Sequence, residues 1–213
     1  MKSDTEQTSI RIPWVAAWSG GVPSKEESSV QVSRNPQTGE LWIFQGDPDL
    51  SQEREANGIL WAREGIARTG EPLNFDSIYR QRAAMRRKMC RICGRVISQS
   101  VIHWLLAEGQ LEFDSNGDAL TTTPPTCDDC MDIASDLYPQ LKDGCMTVKV
   151  LSYELWGVWG DVAMETPGDA TSRRIARGVR IKRASPPSNV NLTAVLARRE
   201  VVRFEKFRIA GEG

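Results

Sequence analysis

Cys90 and Cys93, with Gly94 next in line, and Cys127 and Cys130 are the residues whose type and spacing can do chemistry. Each pair is separated by two residues, and 33 residues lie between the pairs. Two intervening residues let the backbone turn sharply enough for both sulfurs to face one ion, so the pairs predict a closed tetrathiolate site for structural zinc. Gly94 supplies the left-handed residue that such a knuckle requires. Four reduced core cysteines are the competing reading. An iron–sulfur cluster also fits the ligand count, although nothing in the sequence selects it. Cys145 makes five cysteines, and no secretory segment is recognisable, which argues against a disulfide framework. Cys145 itself reads as a plain buried thiol.

Other candidates for chemistry are sparse. His103 is the single histidine and reads as a half-buried strand residue. A metal-dependent HNH nuclease needs a histidine base and further ligands beside its zinc-like fold, and one histidine cannot fill both roles. Ser19, Gly20 and Gly21 lack the lysine and the spacing of a phosphate loop. Asp47 with Asp49, and Glu53 with Glu55, are carboxylate pairs that read as solvated loop surface. Among the seven tryptophans, Trp14, Trp18, Trp156 and Trp159 read chiefly as sheet or core residues, with a groove near Gly157 as the functional alternative.

Charge is segregated along the chain. From Arg80 to Arg95 there are seven bases (Arg80, Arg82, Arg86, Arg87, Lys88, Arg91 and Arg95) and no acid. A second basic segment holds Arg173, Arg174, Arg177, Arg180, Lys182 and Arg183, and a third holds Arg198, Arg199, Arg203, Lys206 and Arg208. Acids concentrate at 47–55 and 112–143. Basic stripes are the footprint of phosphate binding, which makes Arg80, Arg82, Arg86, Arg87, Arg173, Arg174 and Arg177 candidate nucleic-acid contacts. The competing role for the first run is compensation: a tetrathiolate zinc centre carries about −2, and Lys88 and Arg91 lie beside its ligands in sequence.

The elements that must position these residues read as follows. Residues 1–9 form a flexible polar terminus and 10–75 a β-rich part. Strands are expected from Ile10 to Trp18, from Val30 to Arg34, from Glu40 to Phe44 and from Gly58 to Arg63, with turn chemistry at Asn35 to Gly39 and a loop at Gly46 to Ser51. A zinc module spans 76–145. It opens with a helix capped by Asp76 and running past Met85, continues through the knuckle and a hairpin turning at Asn116 and Gly117, and closes with a short helix after Cys127 that Pro139 ends. Asp128, Asp129 and Asp132 suit the positive end of that helix. Residues 146–213 supply strands interrupted by Gly157 and Gly160 and a C-terminal helix capped by Asn191, with Leu192, Val195, Leu196 and Val202 on its apolar side. The expectation is one domain over 1–213, of α+β class: a β-rich protein with an embedded zinc knuckle–hairpin–helix module and a closing helix.

That module resembles a treble-clef finger. The wider order also resembles a family of uncharacterised actinobacterial proteins with four paired cysteines. It runs from Trp18, Ser19 and Gly20 through Gly58 to Arg63, Arg80 to Met85, the two cysteine pairs and Trp156 to Gly160, and ends in a closing Ala-Arg-Arg helix. The resemblance implies one integrated fold around a four-cysteine centre and no activity.

The bulk numbers exclude several classes. With 27 Lys and Arg against 28 Asp and Glu in 213 residues, net charge is −1, so no whole-protein attraction to nucleic acid exists. No apolar run approaches the roughly 18 residues of a membrane helix. The leading expectation is a cytoplasmic, zinc-stabilised, non-enzymatic binding or scaffold protein whose partner is a protein or nucleic acid, with no membrane and no small-molecule cofactor. The alternatives are a nucleic-acid-binding regulator using 80–95, 173–183 and 198–208, and an enzyme whose site lies outside the zinc module.

Overall fold

The computed structural model describes residues 12–47, 52–166 and 169–210, with backbone alone for 169–172. The flexible terminus expected at 1–9, the start of the first strand, and Asp49 with its loop neighbours lie outside the described residues. In chain order the strands and helices are β1 (Ala16–Trp18), β2 (Val30–Arg34), β3 (Leu41–Gln45), β4 (Leu60–Trp61), β5 (Pro72–Asp76), α1 (Ile78–Arg87), β6 (Ile102–Ala107), β7 (Glu112–Phe113), β8 (Ala119–Thr121), α2 (Met131–Leu137), β9 (Cys145–Thr166), β10 (Asp169–Lys182) and β11 (Val195–Ile209). The class is α+β with sheet predominant.

One seven-stranded sheet organises the molecule, ordered β10-β9-β11-β8-β7, with β4 on β11 and β6 on β9. The first third of β9 pairs with β6, from Ala107 opposite Cys145 to Ile102 opposite Val150. Its later part pairs with β10, and β11 runs antiparallel along most of its length. Two small sheets, β1-β5 and β2-β3, complete the fold. The β2-β3 hairpin forms where alternation predicts it, its turn organised by the Asn35 side chain, which accepts from the Gln37 N–H at 2.8 Å. The β7-β8 hairpin turns through Asn116 and Gly117, with the Asp114 carboxylate accepting from the N–H groups of Asn116 and Asp118.

Three expectations are corrected. The stretch after Asn191 is no helix. Asn191 caps a single 3₁₀ turn, its side chain accepting from the Thr193 N–H, and the chain then enters β11. Val195, Leu196 and Ala197 are all buried because this strand lies inside the sheet, and a short apolar run covered on both faces has no period that separates strand from helix. Farther on, Val202, Phe204, Phe207 and Ile209 include β-branched and aromatic residues that favour the pleated surface. Second, Gly157 and Gly160 do not interrupt a strand. A β-carbon at Gly157 would stand 2.0 Å from the Ile181 carbonyl oxygen, and one at Gly160 would stand 2.1 Å from that of Leu196. The glycines let neighbouring backbones close in, and the register shifts at Ala176/Val179 and Ala197/Arg199 put the extra residues in β10 and β11 while β9 continues. Third, Cys145 is exposed rather than buried. A smaller shift concerns α1, whose cap is Ser77, one residue after Asp76, its hydroxyl accepting from the Arg80 N–H.

Along β11, β4 covers Leu196 and Ala197 and β8 covers Val202 to Phe204, leaving a gap at Glu200. Gln81 of α1 fills it. Its amide oxygen accepts from the Glu200 N–H and its amide nitrogen donates to the Glu200 carbonyl, each at 2.9 Å, and also to the Thr122 carbonyl at 2.6 Å. A fully buried side chain thus stands in for a strand residue and ties α1 to the sheet. Gln81→Leu, similar in size but without polar atoms, leaves those backbone groups buried and unpaired. It should cost about 3 kcal/mol or more in chemical denaturation, since each of the three orphaned groups costs about 1–3 kcal/mol.

Candidate metal centre

Lys88 ends α1 in a left-handed conformation (φ 53°), and the chain doubles back at once. Met89 and Val96 form a bridge, the Cys90 N–H donates to the Arg95 carbonyl at 2.8 Å, and the Gly94 N–H donates to the Cys90 carbonyl at 2.9 Å. Gly94 has φ +72°, and a β-carbon there would meet the Trp14 ring at 2.5 Å, so conformation and packing both require glycine. Inside this knuckle the Ile92 N–H donates to the Cys90 sulfur at 3.4 Å. The strap before β1 is bonded onto it, Trp14 and Val15 donating to the carbonyls of Ile92 and Arg91.

The second pair arrives from the other side of the sequence gap. Thr126 bridges to His103 of β6, and the Arg91 N–H donates to the Pro125 carbonyl, which docks the knuckle against the second loop. Cys127 precedes a 3₁₀ turn, Asp128–Cys130, that runs directly into α2. Asp128, Asp129 and Asp132 sit at the amino ends of these turns as expected.

The four sulfurs lie within 4.8 Å of one another. A tetrahedron with metal–sulfur bonds of about 2.3 Å has edges of about 3.8 Å, and the Cys93 and Cys127 sulfurs are 3.7 Å apart. The group is therefore positioned to bind a metal ion. Its electrostatics agree with that role. Burial pushes the Cys127 thiol well up, assisted by neighbouring Cys90, and burial raises Cys130 to about 11. Burial acts the same way on Cys93, but the Arg95 backbone and side chain outweigh it and bring that thiol to about 7. Without a cation the cluster resists carrying four negative charges; a divalent ion removes the conflict. Cys90, Cys127 and Cys130 are also members of the main apolar cluster, with Met85, Trp104 and Val148.

His103 is half-buried in β6 and is not one of the clustered donors; its Nδ1 lies 2.6 Å from Asp128 Oδ1. Arg91, between the first two ligands, is buried with its guanidinium 4.1 Å from the centre of the Tyr138 ring and one N–H on the Leu105 carbonyl. Arg95 pairs with Asp129 at 2.8 Å.

The candidate phosphate-binding arginines are dispersed among partners. Arg80 is buried and donates to the carbonyls of Ala16 and Ile66. Arg82 pairs with Glu53, and Arg86 with Glu55 and Glu200. Arg173 donates to the Val32 carbonyl. Outside those seven, Arg180 pairs with Glu112, Arg183 with Glu55 and Glu200, Arg198 with Asp161, and Arg203 with Asp118 and Glu154. Arg87, Arg174 and Arg177 are exposed, with no carboxylate partner among the described residues. Sequence reasoning missed the buried pairing of Glu200; with its segment read as helix, nothing marked it as a core residue.

No helix of the described residues is long and apolar enough to cross a membrane. Comparison with protein-family models, with curated proteins and with solved structures gives no match.

Proposed function

We propose that this chain is a zinc-stabilised, non-enzymatic binding or scaffold protein that works where thiols stay reduced, as in the cytoplasm. The observation that carries the reading is the convergence of four cysteine sulfurs within 4.8 Å. Zinc is the metal best suited to four thiolates in a tetrahedron, and such a sphere is closed, leaving no position for a reactive water. We read the order of knuckle, β7-β8 hairpin and α2, with β6 inserted after the knuckle, as a variant of the treble-clef finger. Its hairpin joins β11 rather than standing alone, so zinc here braces the large sheet.

A protein is the partner we favour. The internal ion pairs of Arg82, Arg86, Arg180, Arg183, Arg198 and Arg203 support this, because cations already matched to carboxylates gain little from phosphates. Metal analysis of protein purified without chelator should give one zinc per chain. Titration with duplex and single-stranded nucleic acid across salt should give weak binding with a shallow slope, unchanged by Arg174→Gln with Arg177→Gln. A steep slope that flattens by about 1.4–1.8 in that double variant would turn the assignment to a nucleic-acid regulator.

A further inference from the structure

A cavity of about 350 Å³ lies between the turn at Val22 and Pro23, the end of β5 at Phe75 and Asp76 with the first residue of α1, Ile78, and the β9-β11 ladder at Trp159, Arg198 and Arg199. That volume falls in the range of small-molecule sites. It shares Val22, Pro23, Arg63, Glu64 and Ile78 with a second cleft of about 540 Å³. Val22, Ile66, Phe75 and Tyr79 line one or other of these clefts, and they are half of the eight large apolar side chains exposed among the described residues.

The charges lining the cavity are of two kinds. Arg198 is held by Asp161 at 3.0 Å, Arg63 also lines the cavity and is engaged elsewhere, and Glu64 already accepts from the Ser77 hydroxyl and the Tyr79 N–H. Asp76 and Arg199 differ. Both are half-buried, and neither side chain has a hydrogen bond or ion pair among the described residues. Arg199 lies near enough to lower the Asp76 pKa, yet the two do not approach within the 4.0 Å of an ion pair. Burial raises the Asp76 pKa, partly offset by Arg199 and Arg91, so the carboxylate lacks solvation that a ligand can supply. Arg199 instead lies 5.7 Å from the centre of the Trp159 ring. A desolvated carboxylate held apart from the cation across the cavity is costly unless something fits between them.

We propose that this cavity binds a free α-amino acid with an aromatic or large apolar side chain. Its ammonium group donates to Asp76, its carboxylate accepts from Arg199, and its side chain packs on Trp159 and Phe75. An amine alone leaves Arg199 unmatched, a carboxylate alone leaves Asp76 unmatched, and a phosphate ester sets two negative charges beside Asp76. The inference is independent of the metal.

Isothermal titration of the zinc-loaded chain with the standard L-amino acids tests it, followed by tryptamine and indole-3-propionate, which each lack one charge. Saturable binding of an aromatic or large aliphatic amino acid is expected, with both analogues weaker by about tenfold or more, as loss of a charge-assisted hydrogen bond implies. Asp76→Asn and Arg199→Gln should each weaken the amino acid by a similar factor while metal content stays at that of the parent. The analogue series needs no variant, so it decides the matter even where a substitution impairs folding. Absence of binding by every amino acid at millimolar concentration overturns the proposal, as does an analogue that binds as tightly as the zwitterion.

Discussion

Serine at Cys90 or Cys130 is expected to release the metal and unfold far more than the knuckle. Both cysteines are buried in the cluster that also holds Trp104, Leu106, Val148 and Phe204, so the centre and the sheet share one core. Structural zinc supplies about 10–16 kcal/mol of apparent binding energy in small finger peptides, while a whole domain has a net stability of about 5–15 kcal/mol. Losing even half of the first figure consumes most of the second. Circular dichroism melting with metal analysis should therefore show a metal-free Cys90→Ser chain with a melting point lowered by tens of degrees or no cooperative transition at all. A chelator should do the same to the parent chain, and more readily as pH falls, because protons compete for the thiolates. Cys145→Ser is the control: that thiol is exposed at the start of β9 and outside the cluster, so metal content and melting should not change. A Cys90→Ser chain that keeps both its zinc and its melting point would show that the sulfurs are core residues and not ligands.

What was legible in the sequence was local. The two-residue spacing of each cysteine pair, the Gly94 that lets the knuckle turn, and the alternation of β2 and β3 around Asn35 all depend on neighbours a few residues away. The unread parts depend on distant partners. Whether Val195–Ile209 coils or extends is decided by β9 on one side and by β4, Gln81 and β8 on the other. Likewise the basic runs looked like single-signed stripes only because their acids are far away in sequence: Arg180 meets Glu112 from 68 residues off and Arg183 meets Glu55 from 128. Folding interleaves what the chain keeps separate. Asp76 shows the converse, since a helix-capping signal one residue out of place conceals a carboxylate left for the cavity.

The same pairing leads to the second large effect. Glu200 is fully buried, and Arg86 Nε donates to it at 2.7 Å while Arg183 donates to its other oxygen. Arg183 also forks onto Glu55 with two bonds of 3.0 Å, Arg86 reaches Glu55 as well, and Trp61 donates its indole N–H to that carboxylate at 2.9 Å. Two carboxylates and two guanidiniums thus fasten α1, the β4 segment and the long strands together. Glu200→Ala leaves both arginines half-matched in a desolvated site, which should cost about 3–5 kcal/mol and lower the melting point by roughly 6–20 °C. Removing charge by pH should act on Glu55. Burial raises its pKa, but the Arg183 and Trp61 hydrogen bonds outweigh it, with Arg86 assisting, and hold it at about 2 against an ordinary 4.5. A carboxylate depressed in the folded state stabilises fully above its unfolded value and loses that contribution as pH falls through the folded one. The Glu55 contribution, read as the difference in denaturant midpoint between the parent and Glu55→Gln, should therefore be level above pH 4.5 and decline from there towards pH 2. A Glu55→Gln chain that matches the parent at pH 7 and loses stability equally in acid would mean that the cluster is solvated and fastens nothing.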